Sequence, residues 1–241
     1  MRRAFAFLSI FGGAASPTPM TFVWFPIVGV FLGLIVGSVW WTSDRLWPHS
    51  VAAVITVIVD LVLTGLLHFD GLADAGDGLL APMTRERRLA AMSDPAIGAF
   101  GLVSVVVVLL LRVSALAATR PSVLAIGGLW CASRTSMLGI SLILPYARSN
   151  GIVRSFLGAA PRSRTQSRML GATVVVGLLI AGVLLGGARS FRGVAALGTE
   201  LAAIAMVALL SWRRVGGFTG DVLGASGVIG ETMGLLVLAA R

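Results

Sequence analysis

The chain has 241 residues, 57% of them hydrophobic and 12% charged, with a formal net charge of +9. A soluble domain carries about 25% charged residues, so this composition excludes an ordinary water-soluble protein. The positive charge comes from 19 basic residues, all of them Arg; it reads as the basic loops of a membrane protein, which makes a nucleic-acid partner unnecessary.

Residues 1–20 carry Arg2 and Arg3 and a Gly/Ser/Pro-rich stretch, with no small-residue cleavage pattern ahead of the first apolar run. Apolar segments follow at 21–41, 51–67, 99–117, 123–144, 169–187 and 194–212. Each approaches the roughly 20 residues that a bilayer core requires. A seventh, 222–240, is interrupted by Glu231 and several Gly, and fits a span, a re-entrant piece or a helix packed inside the bundle. The expected fold is all-α, a polytopic helical bundle of about six or seven transmembrane helices, with 1–241 as a single domain in a lipid bilayer. Cys131 is the only cysteine, so neither a disulfide framework nor a thiolate metal cluster is expected.

Orientation follows from the arginines. With the N-terminus inside and seven crossings, Arg2, Arg3, Arg85, Arg87, Arg88, Arg148, Arg154, Arg162, Arg164, Arg168, Arg213 and Arg214 are cytoplasmic. Arg45, Arg120, Arg189, Arg192 and Arg241 lie outside, and Arg112 and Arg134 fall within segments. This predicts a multi-pass protein of the cell (inner) membrane whose two long loops, 68–98 and 145–168, face the cytoplasm. Asp60 and Arg134 come at similar depths in their spans, and a buried charge in a bilayer needs a partner; the sequence suggests that they pair.

The informative stretch is His68-Phe-Asp70-Gly71-Leu-Ala-Asp74-Ala-Gly-Asp77-Gly78, at the end of the second segment. Asp70, Asp74 and Asp77 are spaced i, i+4, i+7, which places them within about 60° on a helix. Such a stripe repels itself unless a cation sits among its members. Oxygen ligands without Cys favour Mg²⁺ or Mn²⁺ over zinc, and Mg²⁺ is normally shared with substrate phosphates. The motif therefore reads as a place where a metal holds a phosphate or diphosphate, with Asp70, Asp74 and Asp77 as metal ligands and one of them open to acting as a base. His68 beside them suits catalysis or packing equally.

These residues resemble the adenosylcobinamide-GDP ribazoletransferase (cobalamin synthase) family. Its central signature is similar to Thr64-Gly65-x-x-His68-x-Asp70-Gly71-x-x-Asp74-x-x-Asp77-Gly78. Further stretches match in order: Met92-Ser93-Asp94-Pro95-x-Ile97-Gly98-x-x-Gly101, Ser133-Arg134, Tyr146-Ala147-Arg148-x-x-Gly151, and Gly216-Gly217-x-Thr219-Gly220-Asp221-x-Leu223-Gly224-Ala225 with Glu231 beyond. Ser93 stands where the family commonly has a basic residue, Val228 where it usually has an acidic one, and Ile10-Phe11-Gly12-Gly13 where it has an Arg-containing stretch.

The resemblance implies a Mg²⁺-dependent transferase that joins α-ribazole, or its 5′-phosphate, to adenosylcobinamide-GDP and releases GMP, forming adenosylcobalamin or its 5′-phosphate. It implies catalytic roles for His68, Asp70, Asp74 and Asp77, and substrate contacts for Arg134, Arg148, Asp94, Gly217, Thr219 and Asp221; Arg154, outside the family motifs, offers a second bidentate phosphate clamp. The oligomeric state is left open. Two alternatives are a divalent-cation channel or transporter with the three Asp as its mouth, and a membrane enzyme like the CDP-alcohol phosphotransferases.

Overall fold

The computed structural model describes residues 1–11, 18–148 and 163–240; Arg154 and Gly151 lie outside them, as do Gly12 and Gly13. The helices are α1 (Arg2–Leu8), α2 (Phe25–Leu46, preceded by a 3₁₀ turn, Pro19–Trp24), α3 (His49–Leu63), α4 (Leu67–Leu80), α5 (Arg85–Ala91), α6 (Ala99–Ala118), α7 (Val123–Ile143), α8 (Arg164–Val215) and α9 (Gly220–Ala239). Among the described residues, five are long and apolar enough to cross a membrane, and α3 with α4 adds one bent pair. The expected all-helical membrane bundle is the fold found.

Several helices start where the sequence offers an oxygen to the free N–H groups of the first turn. The Ser122 hydroxyl accepts from the Ala125 N–H at 3.3 Å and starts α7. Ser163 and Gln166 form a reciprocal capping box at the start of α8. The 52 residues of α8 would measure about 78 Å if straight, more than twice a bilayer core. The chain instead breaks at Arg189 and Ser190, where Ser190 has φ 48°, and the two arms return side by side. A side chain built on Gly182 would touch Leu197, and one on Gly186 would touch Val194. The two expected segments 169–187 and 194–212 are these arms, and the polar break lies at the tip, where water replaces lipid.

The core is built around α7 and α9, whose apolar stretches are mostly buried, whereas α6 and α8 leave most of theirs to lipid. The weak seventh segment is thus a full-length helix packed against α4, α6, α7 and α8.

Two expectations are corrected. The second segment is not a straight span over 51–67: α3 ends at Leu63, Gly65 (φ 59°) and Leu66 (φ 61°) turn the chain left-handed, and α4 leaves at 89°. With 15 residues, about 22 Å, α3 reaches only part of the way across, and α4 crosses the starts of α6 and α9. Nor does Asp60 pair with Arg134. Asp60 Oδ2 accepts from Arg112 Nη1 at 2.6 Å and Asp60 Oδ1 from Trp130 Nε1 at 3.0 Å. Glu231 bridges the two arginines, binding Arg112 through one oxygen and Arg134 through the other. The helix register decides this. Arg112 on α6 faces both α3 and α9, whereas Arg134 on α7 faces α9.

Candidate active site

The site forms where α4 meets the start of α9. Gly71 makes the meeting close: a Cβ there would fall 2.9 Å from the Asp221 carbonyl oxygen. On the facing side, a Cβ on Gly224 would lie 3.2 Å from His68 Cα. Two helices that touch through glycine bring their neighbouring acids together, so Asp70 and Asp74 come beside Asp221.

A second set of bonds delivers Arg148 to the same place. Gly216 ends α8 with φ 78°. The following turn pairs with the segment after α7: the Phe218 N–H donates to Pro145 O at 2.9 Å, and the Ala147 N–H donates to Phe218 O at 2.8 Å. The Tyr146 and Phe218 rings meet edge to face at 5.5 Å. Arg85 ties the clamp down by donating from Nε to Val215 O at 2.8 Å. Arg148 then donates from Nη2 to Asp221 at 2.8 Å and to Met92 O at 3.0 Å.

Next to these groups lies a cavity of about 290 Å³. Its lining combines apolar Phe7, Phe25, Leu67, Met137 and Leu223 with polar His68, Asp70, Arg148 and Asp221. His68 is buried, and its Nδ1 has no hydrogen-bond partner among the described residues. Burial, reinforced by the charges of Arg134 and Arg112, holds its imidazole well below its ordinary pKa and therefore neutral.

Asp74 shows the electrostatic imbalance. Burial pushes its carboxyl up to about 7, and Asp221, Asp70 and Asp77 push it the same way, against Arg148 alone. A patch of carboxylates with one guanidinium lacks positive charge. Its donors are all oxygen, which suits a hard divalent cation. Among the described residues no three acids or imidazoles converge into a closed metal cage. The arrangement fits an ion held by one or two carboxylates and completed by substrate phosphate and water, as Mg²⁺ prefers.

The other expected site residues are placed as follows. Asp77 belongs to the acidic stripe, yet its carboxylate turns to the start of α6, accepting the Gly98 N–H at 2.7 Å and the Gly101 N–H at 2.9 Å. Thr219 caps α9: its hydroxyl accepts the Val222 N–H at 3.3 Å and donates to Asp221 at 3.2 Å. Gly217 is buried in the preceding turn, where its carbonyl accepts from Ser211 at 2.6 Å. Arg134 is buried and held by Glu231 and Ser133, away from the cavity wall. Asp94 lies in an exposed turn and accepts the Ala96 N–H at 2.9 Å. Sequence reasoning missed the cavity's apolar wall, because Phe7, Phe25 and Met137 come from three helices and carry no motif. It also missed the role of Arg112, for which a charge in the middle of an apolar run was the available signal.

Comparison with known proteins follows the same outline. The family model described as cobalamin-5-phosphate synthase matches residues 1–239. A protein of Bradyrhizobium diazoefficiens named adenosylcobinamide-GDP ribazoletransferase is 36% identical over 219 residues, 89% of this chain and 81% of that protein. Proteins of the same name from Chlorobium phaeovibrioides and Escherichia coli are 32% and 35% identical, covering 95% and 89% of this chain and 91% and 85% of their own lengths. No solved structure matches the chain.

Proposed function

The chain belongs to the cobalamin-5-phosphate synthase family, and from that premise we propose that this membrane transferase of cobalamin biosynthesis joins α-ribazole, or its 5′-phosphate, to adenosylcobinamide-GDP at the α4–α9 site. The observation that carries the reading is the wall formed by Asp70, Asp221 and Arg148 beside Asp74. Phosphoryl-type transfer asks a protein mainly for positioning and charge stabilisation, and this wall offers both.

In the proposed step a ribose hydroxyl of the acceptor attacks a phosphorus of the diphosphate. A new phosphorus–oxygen bond forms, the bridging one breaks, and GMP leaves with the electron pair. Asp70, at the cavity wall, takes the hydroxyl proton. Arg148 binds the diphosphate oxygens. Asp74 and Asp221 are the residues to hold Mg²⁺, or Mn²⁺, which would supply positive charge to the diphosphate and the leaving GMP. Thr219 and the turn around Gly217 fix Asp221. Asp77 fixes the loop before α6, which carries Met92 under Arg148. The site faces the cytoplasm of the cell membrane, in line with the arginines at its end of the bundle.

One feature argues against each alternative, the channel first. Asp60 and Glu231, inside the spans, are bound to arginine rather than spaced along a passage. The CDP-alcohol alternative needs an Arg where Asp74 stands. The test is GMP release by membranes carrying the protein, given adenosylcobinamide-GDP, α-ribazole and Mg²⁺, with and without EDTA. Release that requires both substrates and stops with EDTA is expected. Metal uptake into vesicles without turnover would instead support a transport role.

A further inference from the structure

The cavity's mixed apolar and polar lining bears on which part of which substrate it takes. Its volume of about 290 Å³ suits a nucleoside-sized group and is far too small for a corrin ring with its side chains. That leaves two bases, the guanine of the donor and the base of the acceptor. Guanine carries polar groups around most of its edge. The polar groups turned to Phe7, Phe25, Leu67 and Met137 would lose water without a partner, and only those turned to Asp70, Arg148 and Asp221 would be met. A benzimidazole is flat and mostly apolar, with one ring nitrogen outside the glycosidic bond. The cavity answers each feature. The Phe7 and Phe25 rings stack on each other, 6.0 Å apart at 17°, and both line the cavity as aromatic wall. Met137 adapts to substituents. His68 is the one imidazole on the wall, buried and with Nδ1 unpartnered among the described residues.

We infer that this cavity is the acceptor subsite: it takes the planar apolar base of the ribosyl acceptor against Phe7, Phe25, Leu67 and Met137, with His68 bonding the free ring nitrogen. The inference rests on the transferase reading above. It places the acceptor's ribose with its hydroxyls beside Asp70, brings the donor's diphosphate to Arg148 and Asp221, and leaves the donor's guanine outside the cavity.

The test uses purified full-length protein in detergent. Equilibrium binding of α-ribazole, without donor, is compared with that of the purine ribosides adenosine and guanosine on the wild type. Benzimidazole binding tighter by about a hundredfold is expected, and equal affinity overturns the inference. Met137→Ala and Phe7→Ala are then assayed for transfer. The KM for α-ribazole should rise about tenfold, as loss of apolar pocket contact does, while the KM for adenosylcobinamide-GDP stays within about twofold. A rise confined to the donor's KM overturns the subsite. If α-ribazole binds but no transfer occurs, the subsite stands and the transferase reading fails; if neither occurs, both fail.

Discussion

At Asp74 the sequence places a carboxylate among carboxylates, and the fold removes much of its water. Both effects raise its pKa, to about 7. The proton and a bound cation compete for the same group. Above pH 7 the carboxylate is free for the cation; below it the proton holds it. The affinity for Mg²⁺ should therefore fall as pH drops through 7, approaching tenfold per unit. Measuring Mg²⁺ activation of GMP release from pH 5.5 to 8.5 checks this, and a flat profile would overturn the role of Asp74. Asp74→Ala should reduce transfer at least a hundredfold while the protein still inserts. Asp77 is different in kind, since its oxygens already accept two backbone N–H groups of the α6 start. Asp77→Ala should cost about 1–2 kcal/mol, as loss of a helix cap does, whereas Asp77→Asn should retain more stability and activity. Thermal melts of both variants in detergent, beside their turnover, separate the cap from a direct role in transfer.

Among the elements, the bundle's interior is fastened by charge. Arg112 on α6 binds Asp60 on α3 and Glu231 on α9, and Glu231 also binds Arg134 on α7. Two cations thus meet two anions, and four helices are fixed in rotation. Removing Arg112 alone leaves two buried carboxylates with one guanidinium, a defect of about 3–5 kcal/mol. Arg112→Met should accordingly melt well below the wild type. The double variant Asp60→Asn with Arg112→Met removes one charge of each sign and keeps an acceptor for Trp130. It should recover much of the loss. A double variant no more stable than the single one would show that the network does not work as a balanced set. A charge exchange between Asp60 and Arg134 should give no rescue, because these two residues do not meet.

For the whole molecule, orientation in the membrane is the open quantity that the fold makes measurable. Ser93 lies exposed at the Arg-rich end, between α5 and α6, and Ser50 lies exposed at the other end, at the start of α3. The single native cysteine, Cys131, is fully buried, so it should stay silent to a membrane-impermeant maleimide. Ser93→Cys should label in inside-out vesicles and not in intact cells, and Ser50→Cys the reverse. The opposite pattern would place the site on the outer face.

The sequence by itself determined the membrane bundle, its apolar segments, the acidic stripe and the family signature, because each is written in local composition or short spacing. Hydropathy over some 20 residues measures the cost of leaving lipid, and i, i+4, i+7 spacing fixes a helical face whatever surrounds it. Only the tertiary structure decided that α4 turns 89° out of the second segment, since one left-handed pair, Gly65–Leu66, does this and hydropathy averages over it. It also decided that Asp221 and Arg148 join Asp70 and Asp74, that Asp77 faces α6, and that Asp60 chooses Arg112 over Arg134. Each of these depends on how two helices are rotated about their own axes when they meet. That rotation is set by packing between residues far apart in the chain, as where Gly71 admits the backbone of Asp221.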